Sequence, residues 1–257
     1  MQLINKAQIA NAFGRAATRY DEVASLQRGI ADRLVQAILS SSMSGDLLDA
    51  GCGTGYIGQQ LKSHGHFEIT ALDLSVQMLQ QAKYNDSAHR FVQGDIELLP
   101  FEDQQFDSVV SSLAVQWCHS FERAIHELLR VLKPGGRLYL STLVDPTLHE
   151  LKTAWQAIDD QQHVINFVLP EDVNGTLQKI SNDSSIQSVN CEFYSEIFAV
   201  LKSLQGIGAT ALPNRRSGLL GKGQLLSLSN AYPNANGVEY TLSYEVAELM
   251  IIKGKSR

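Results

Sequence analysis

Between residues 46 and 143, short β-rich runs alternate with helical patterns, and this alternation constrains the fold more than any other feature of the chain. The runs are LLDA (47–50), FEITALD (67–73), RFVQGD (90–95), FDSVVSS (106–112) and RLYLST (137–142). Helical patterns fall near 56–64, 75–86 and 120–132, the last with Ile125, Leu128, Leu129 and Leu132 on one face. Strand and helix in alternation means βαβ units, a parallel sheet and right-handed crossovers. In such sheets ligands sit beyond the carboxyl ends of the strands, so chemistry is expected just after residues 48, 72, 94 and 112.

The flanks differ in character. Residues 5–41 read as helices, with Leu26, Ile30, Leu34 and Ile38 at every fourth position, preceded by Ile9, Phe13 and Tyr20. This segment is expected to cover the sheet or act as a lid. Residues 146–185 look helical and polar; strand-like segments follow near 186–198 and 237–252, with Gly-rich helical text between them. The last of these fits an antiparallel addition at one sheet edge. No run approaches the roughly 18 apolar residues needed to span a bilayer, and the opening residues show no apolar signal core, so a soluble cytoplasmic protein with no membrane partner is expected. Three widely spaced cysteines, Cys52, Cys118 and Cys191, argue against a disulfide framework or a zinc ribbon, and no metal site is expected. The net charge of −6 argues against nucleic acid as a partner.

The strongest motif is Leu47-Leu48-Asp49-Ala50-Gly51-Cys52-Gly53-Thr54-Gly55, a strand running into three alternating glycines and then a helix. Within it, Gly53 to Gly58 matches the G-x-G-x-x-G dinucleotide fingerprint, and Asp73 stands 20 residues after Gly53. That reading meets an objection at Asp49, whose carboxylate ahead of the glycines would repel a pyrophosphate but attract an ammonium or sulfonium. S-adenosylmethionine (SAM) satisfies the objection; NAD and an empty tight turn are the alternatives. Asp73 suits both ribose hydroxyls in either nucleotide, or caps a helix, a task for which Ser75 is better placed. Asp95, closing the third run, is a candidate acceptor for an adenine amino group with Ile96 packed on the ring, or a plain turn residue. The fourth strand opens into Leu113-Ala114-Val115-Gln116-Trp117, expected to line the transfer site, with Trp117 equally readable as core.

LDAGCGTG, ALDLS, GDIE and the FD strand followed by VLKPGGRLYLST resemble class I SAM-dependent methyltransferases over roughly 46–143. With AFGRAATRYDEVASLQR, SSLAVQWC and Lys202-Ser203-Leu204-Gln205-Gly206-Ile207-Gly208-Ala209-Thr210, most of the chain resembles the malonyl-[acyl-carrier protein] O-methyltransferase family of bacterial biotin synthesis. The resemblance implies an α/β, doubly wound, mostly parallel seven-stranded Rossmann-like sheet with an antiparallel edge strand and an N-terminal helical lid. It implies one domain: 1–43 as the lid, 46–143 as the SAM-binding core and 146–257 as substrate-side helices and strands. SAM would be held by Asp49, Gly51, Gly53, Gly55, Asp73, Leu74, Asp95, Ile96 and Leu113.

The implied substrate is a malonyl thioester on acyl-carrier protein or coenzyme A. Its free carboxylate is already ionised at neutral pH, so no catalytic acid or base is expected. Tyr20, Gln116, Trp117 and Lys202 are the candidates for positioning it. From Ile197 to Val238 there are four basic residues, Lys202, Arg215, Arg216 and Lys222, and no acidic one. Arg215, Arg216 and Lys222 are therefore expected to steer an acidic carrier, although a solvated loop explains them as simply. A methyltransferase for a phenolic or quinone-like substrate and a non-catalytic SAM-binding protein remain open alternatives.

Overall fold

The computed structural model describes residues 5–180, 186–194, 196–206, 221–233 and 239–254. Three helices come first: α1 (Lys6–Ala16), α2 (Tyr20–Val23) and α3 (Ser25–Leu39). The alternating core follows as β1 (Gly45–Ala50), α4 (Tyr56–Lys62), β2 (Phe67–Asp73), α5 (Val76–Tyr84), β3 (Arg90–Gln93), β4 (Phe106–Ser112), α6 (Phe121–Arg130) and β5 (Leu132–Val144). Helices α7 (His149–Gln156) and α8 (Pro170–Ile180), strand β6 (Ile186–Tyr194), helices α9 (Ile197–Gly206) and α10 (Lys222–Ala231), and strand β7 (Tyr240–Ile252) complete it.

The seven strands form one sheet in the order β3-β2-β1-β4-β5-β7-β6. All pairs from β3 to β5 are parallel, while β7 runs antiparallel to both β5 and β6. The reversed strand is thus one place in from the edge, and β6 lies outside it, where a single antiparallel edge strand was expected. Strand β5 begins at Leu132, five residues before the apolar run suggests, because Gly135 and Gly136 pair with Lys253 through backbone hydrogen bonds of 2.8 and 2.9 Å.

Helices cover both faces, which is why the strands read as continuous apolar runs rather than alternating ones. Successive residues of β1 show it. Leu47 packs with α3, α4 and α5 through Ile38, Leu61 and Leu79, while Leu48 faces the opposite side with Leu128 of α6 and Val173 and Leu177 of α8. A third cluster gathers Ile30, Leu151, Trp155, Val200, Leu228 and Tyr244 beside β7. The chain leaves β1 toward β2 on one side, and β4 occupies the other, so the order reverses between β1 and β4. A crevice opens there, beyond the ends of the two strands.

Candidate active site

The crevice floor is set by the first glycine of the loop. Gly51 has φ of +80°, and a Cβ there would lie 2.4 Å from the Cβ of Ala114, just past the end of β4. Gly55 caps the start of α4 at φ +84°, where a Cβ would strike the Ser87 side chain at 2.1 Å. Gly53 differs: the place where its Cβ would stand is open space.

The first cavity is lined by Gly51, Gly53, Leu72, Asp73, Leu74, Met78, Gly94, Asp95, Ile96, Leu113, Ala114 and Trp117, and closed by Lys6, Ile9, Phe13 and Tyr20 from the N-terminal helices. Seven of the nine expected cofactor residues meet on this wall. Asp49 and Gly55 do not line it and lie behind the loop. Asp73 Oδ2 accepts from Gly53 N at 2.9 Å and Oδ1 from Ser75 N at 2.8 Å, while Ser75 Oγ caps α5 by accepting from Met78 N. Burial pushes the Asp73 carboxyl up, opposed by these backbone donors. Asp49 is pushed up to about 7, first by burial and then by the charge of Asp73.

Asp95 has a partner that the sequence pattern does not reveal. Lys6 Nζ donates to both its oxygens at 2.7 and 2.5 Å and also meets Glu97 at 2.5 Å. Burial lowers the Lys6 ammonium, but Asp95 and Glu97 outweigh it and hold the pKa above its ordinary value. Glu97 also accepts from the backbone N–H groups of His119 and Ser120 at 2.8 and 3.0 Å, so α1 is tied to the start of α6 through one carboxylate.

A second cavity adjoins the first. Phe13, Tyr20, Leu113 and Trp117 line both, and the rest of the second wall is Leu26, Gln27, Gln116, Leu143, Leu148, Leu151, His163, Val164, Ile165, Phe167, Leu204 and Tyr244. Phe13 meets the edge of Trp117 with ring centroids 5.4 Å apart. Leu113 is held at φ +48°, a costly conformation for a side chain with a Cβ, by Leu113 N donating to the Ser141 carbonyl at 2.9 Å and to its hydroxyl at 3.2 Å. Gln116 Nε2 donates to the Leu113 carbonyl at 2.7 Å, which fixes the same turn. Burial, then Asp21 and Asp73, push the Tyr20 phenol above its ordinary value, so it stays a hydroxyl donor. Among the described residues, no lysine, arginine or carboxylate lines this cavity.

Tyr20, Gln116 and Trp117 are therefore together. Lys202 is not with them: it is exposed on α9, whose inward positions are Val200 and Leu204. Arg15 and Arg19 likewise face outward, Arg19 toward Glu22 at 3.6 Å. Lys222 is exposed at the start of α10; Arg215 and Arg216 lie outside the described residues. Nothing in the local sequence marks Gln27, His163 and Tyr244 as cavity residues.

The first cavity fits a nucleoside-bearing cofactor. Gly53 leaves open space where a side chain would stand, Asp73 presents a carboxylate at the end of β2, and Ile96 supplies an apolar face beside Asp95. A family described as "Methyltransferase domain" matches residues 48–140. Among solved structures, the YcgJ protein of Bacillus subtilis shares the fold with a TM-score of 0.61 at 18% identity, covering 88% of this chain and all of that one. A SAM-dependent methyltransferase from Thermotoga maritima gives 0.53 at 16% identity, with 95% and 99% covered. Similarity in sequence is much higher to curated proteins named malonyl-[acyl-carrier protein] O-methyltransferase. That of Pectobacterium atrosepticum is 42% identical, with 94% of each chain covered, and that of Serratia marcescens is 41% identical, with 95% and 94% covered. Identity at this level over nearly the whole of both chains shows the family: the chain belongs to the malonyl-[acyl-carrier protein] O-methyltransferase family, whose methyl donor is SAM.

Proposed function

We propose that the chain methylates the free carboxylate of a malonyl thioester carried on acyl-carrier protein, giving the methyl ester that the family resemblance ties to biotin synthesis. The observation that carries this reading is the shared wall: one cavity suited to a nucleoside and one small uncharged cavity, joined through Phe13, Tyr20, Leu113 and Trp117. SAM supplies a methyl group on a sulfonium, which a carboxylate oxygen takes without any proton transfer. No acid or base is then needed, and the residues have three tasks.

Asp73, Leu74, Ile96 and the loop from Gly51 to Gly53 hold the nucleoside. Asp49 acts from behind the loop as a source of negative potential. The aromatic wall keeps water from the reacting atoms, and Tyr20 donates a hydrogen bond to the carboxylate oxygen that does not attack, so the other is aimed at the methyl group. The cost of bringing a carboxylate into an apolar cavity falls as the ester forms, because carboxylate and sulfonium charges disappear together. A phenolic substrate would need its proton removed, and the imidazole that lines the second cavity, His163, is stacked on Trp155 with its Nε2 held at 2.8 Å by Asp159 Oδ1; a carboxylate substrate needs no such step.

Residues 1–43 serve as a lid over both cavities, 46–143 as the cofactor core and 146–257 as the substrate side. The acid-free segment 197–238 receives the acidic carrier, with Arg215, Arg216 and Lys222 steering it. Lys202, facing outward, joins this group rather than the transfer site. Among the described residues no helix is long and apolar enough to cross a membrane, and we infer action in the cytoplasm. Mass spectrometry of malonyl-carrier protein and malonyl-CoA after incubation with SAM tests the reading. A gain of one methyl group on the malonyl moiety is expected; an unmodified carrier substrate alongside a methylated phenol would overturn it.

A further inference from the structure

Outside the second cavity lies a polar cleft of about 310 Å³, against about 70 Å³ for the cavity itself. His163 and Val164 line both spaces. The inner space therefore suits a small acyl group and not the chain that carries it. A tethered acyl group must leave its tether beyond one of the cavity's walls, and the wall at His163 opens on the larger space.

The cleft runs from the C-terminal end of α7 to residue 166 and carries four carboxamides: Gln156, Gln161, Gln162 and Asn166. Each offers a donor and an acceptor, the pairing that a chain of secondary amides requires. Trp155 and Val164 add apolar surface for methylene groups. The partition itself is ordered. The His163 ring stacks on Trp155 with centroids 3.7 Å apart and planes 10° from parallel, and its Nε2 lies 2.8 Å from Asp159 Oδ1. Asp159 Oδ1 also accepts from Gln161 N at 2.9 Å, which fixes the carboxylate that holds the ring.

We propose that this cleft holds the amide-bearing arm that tethers the acyl group to its carrier, with the stacked His163 and Trp155 as its inner threshold. The assignment rests on the malonyl-thioester reading above. The same arm occurs on carrier protein and on coenzyme A, and the cleft recognises the chemistry common to both.

The test compares initial rates on three substrates: malonyl-carrier protein, malonyl-CoA and the malonyl thioester of a simple alkyl thiol, which has no arm. Two variants are used, Asn166→Trp to fill the cleft and the pair Gln156→Ala with Asn166→Ala to remove two of its four carboxamides, both at exposed positions. The expected result is a rise in KM of about tenfold or more for both arm-bearing substrates, with kcat/KM on the short thioester within about twofold of the parent. Activity on the short substrate also shows that a variant has folded; should the tryptophan variant fail to fold, the alanine pair decides. Equal losses on all three substrates, an effect on the carrier protein alone, or no change on either arm-bearing substrate would each overturn the assignment. A parent enzyme that methylates none of the three overturns the malonyl reading and this one with it. One that methylates the short thioester preserves the malonyl reading whatever the variants do.

Discussion

The two cavities share a wall yet are built on different plans. The first is assembled from the carboxyl ends of adjacent parallel strands, β3, β2, β1 and β4, and its polar groups are tied down by short backbone hydrogen bonds at Asp73 and Ser75. The second draws one or two side chains each from α1, α2, α3, the start of α7, α9, β5 and β7, three from residues 113–117 and four from residues 163–167, and it is mostly apolar. A group made by strand ends is positioned by the sheet, while a cavity made by distant helices is positioned by side-chain packing. Loss of a group from the first should therefore act sharply and locally; changes in the second should act on alignment and turnover.

The largest effect is expected at Asp73. Asp73→Ala removes a charged acceptor and the anchor for Gly53 and Ser75, and it should weaken SAM binding by about 1.5–3 kcal/mol in calorimetry. Unchanged affinity would remove the ribose role and with it half of the contrast.

Next is Asp49, where the prediction concerns pH. Its pKa of about 7 in the folded chain lies above the ordinary carboxyl value of about 3.9, so between these pH values the native state holds a proton that the unfolded state has lost. Stability contributed by that proton is present at low pH and is lost as pH rises through 7. Asp49→Asn has no proton to lose. The stability difference between the variant and the parent without SAM should thus favour the variant more at pH 8 than at pH 5, by on the order of 2 kcal/mol. Melts or denaturant titrations that give the same difference at both pH values would show that Asp49 carries no such ionisation.

Tyr20→Phe probes the second cavity. It should lower kcat on the malonyl carrier about tenfold, or ~1.4 kcal/mol, with SAM affinity within about twofold of the parent. A loss of SAM affinity matching the loss of turnover would place Tyr20 with the first cavity and blur the division.

The smallest effect is expected in the acid-free segment 197–238. Arg215→Glu with Arg216→Glu should raise KM for the malonyl carrier by a few fold, about 0.5–1 kcal/mol, at low salt, and added salt should mimic the change in the parent. Turnover of malonyl-CoA at saturation should hardly move. Parent-like kinetics on the carrier at low salt would leave the basic segment as solvated surface.

The same division explains what could be read before the fold was known. Gly51 to Gly55, Asp73 and Asp95 are legible because each stands at the end of an apolar run, and strand ends are where α/β sheets bind ligands. His163, Gln27 and Tyr244 belong to segments far apart in the chain, and only tertiary packing unites them. At Lys202 the helix period outweighs the local motif. Val200 and Leu204 mark the inward face of α9 by their i, i+4 spacing, which sends residue 202 to the outer side. The Lys6 bridge to Asp95 and Glu97 spans about 90 residues of sequence, and no local pattern announces it.

Phe13 and Tyr20 stand in the wall of both cavities, and that has a consequence for timing. A wall common to two rooms cannot be withdrawn from one of them alone. If the helices that carry these rings swing away, the spent nucleoside and the new ester are released to solvent in the same event, and fresh donor and acceptor are admitted together. The cycle then has one gate rather than two, and its rhythm is set by how long the ion pairs of Lys6 and the ring contact between Phe13 and Trp117 survive.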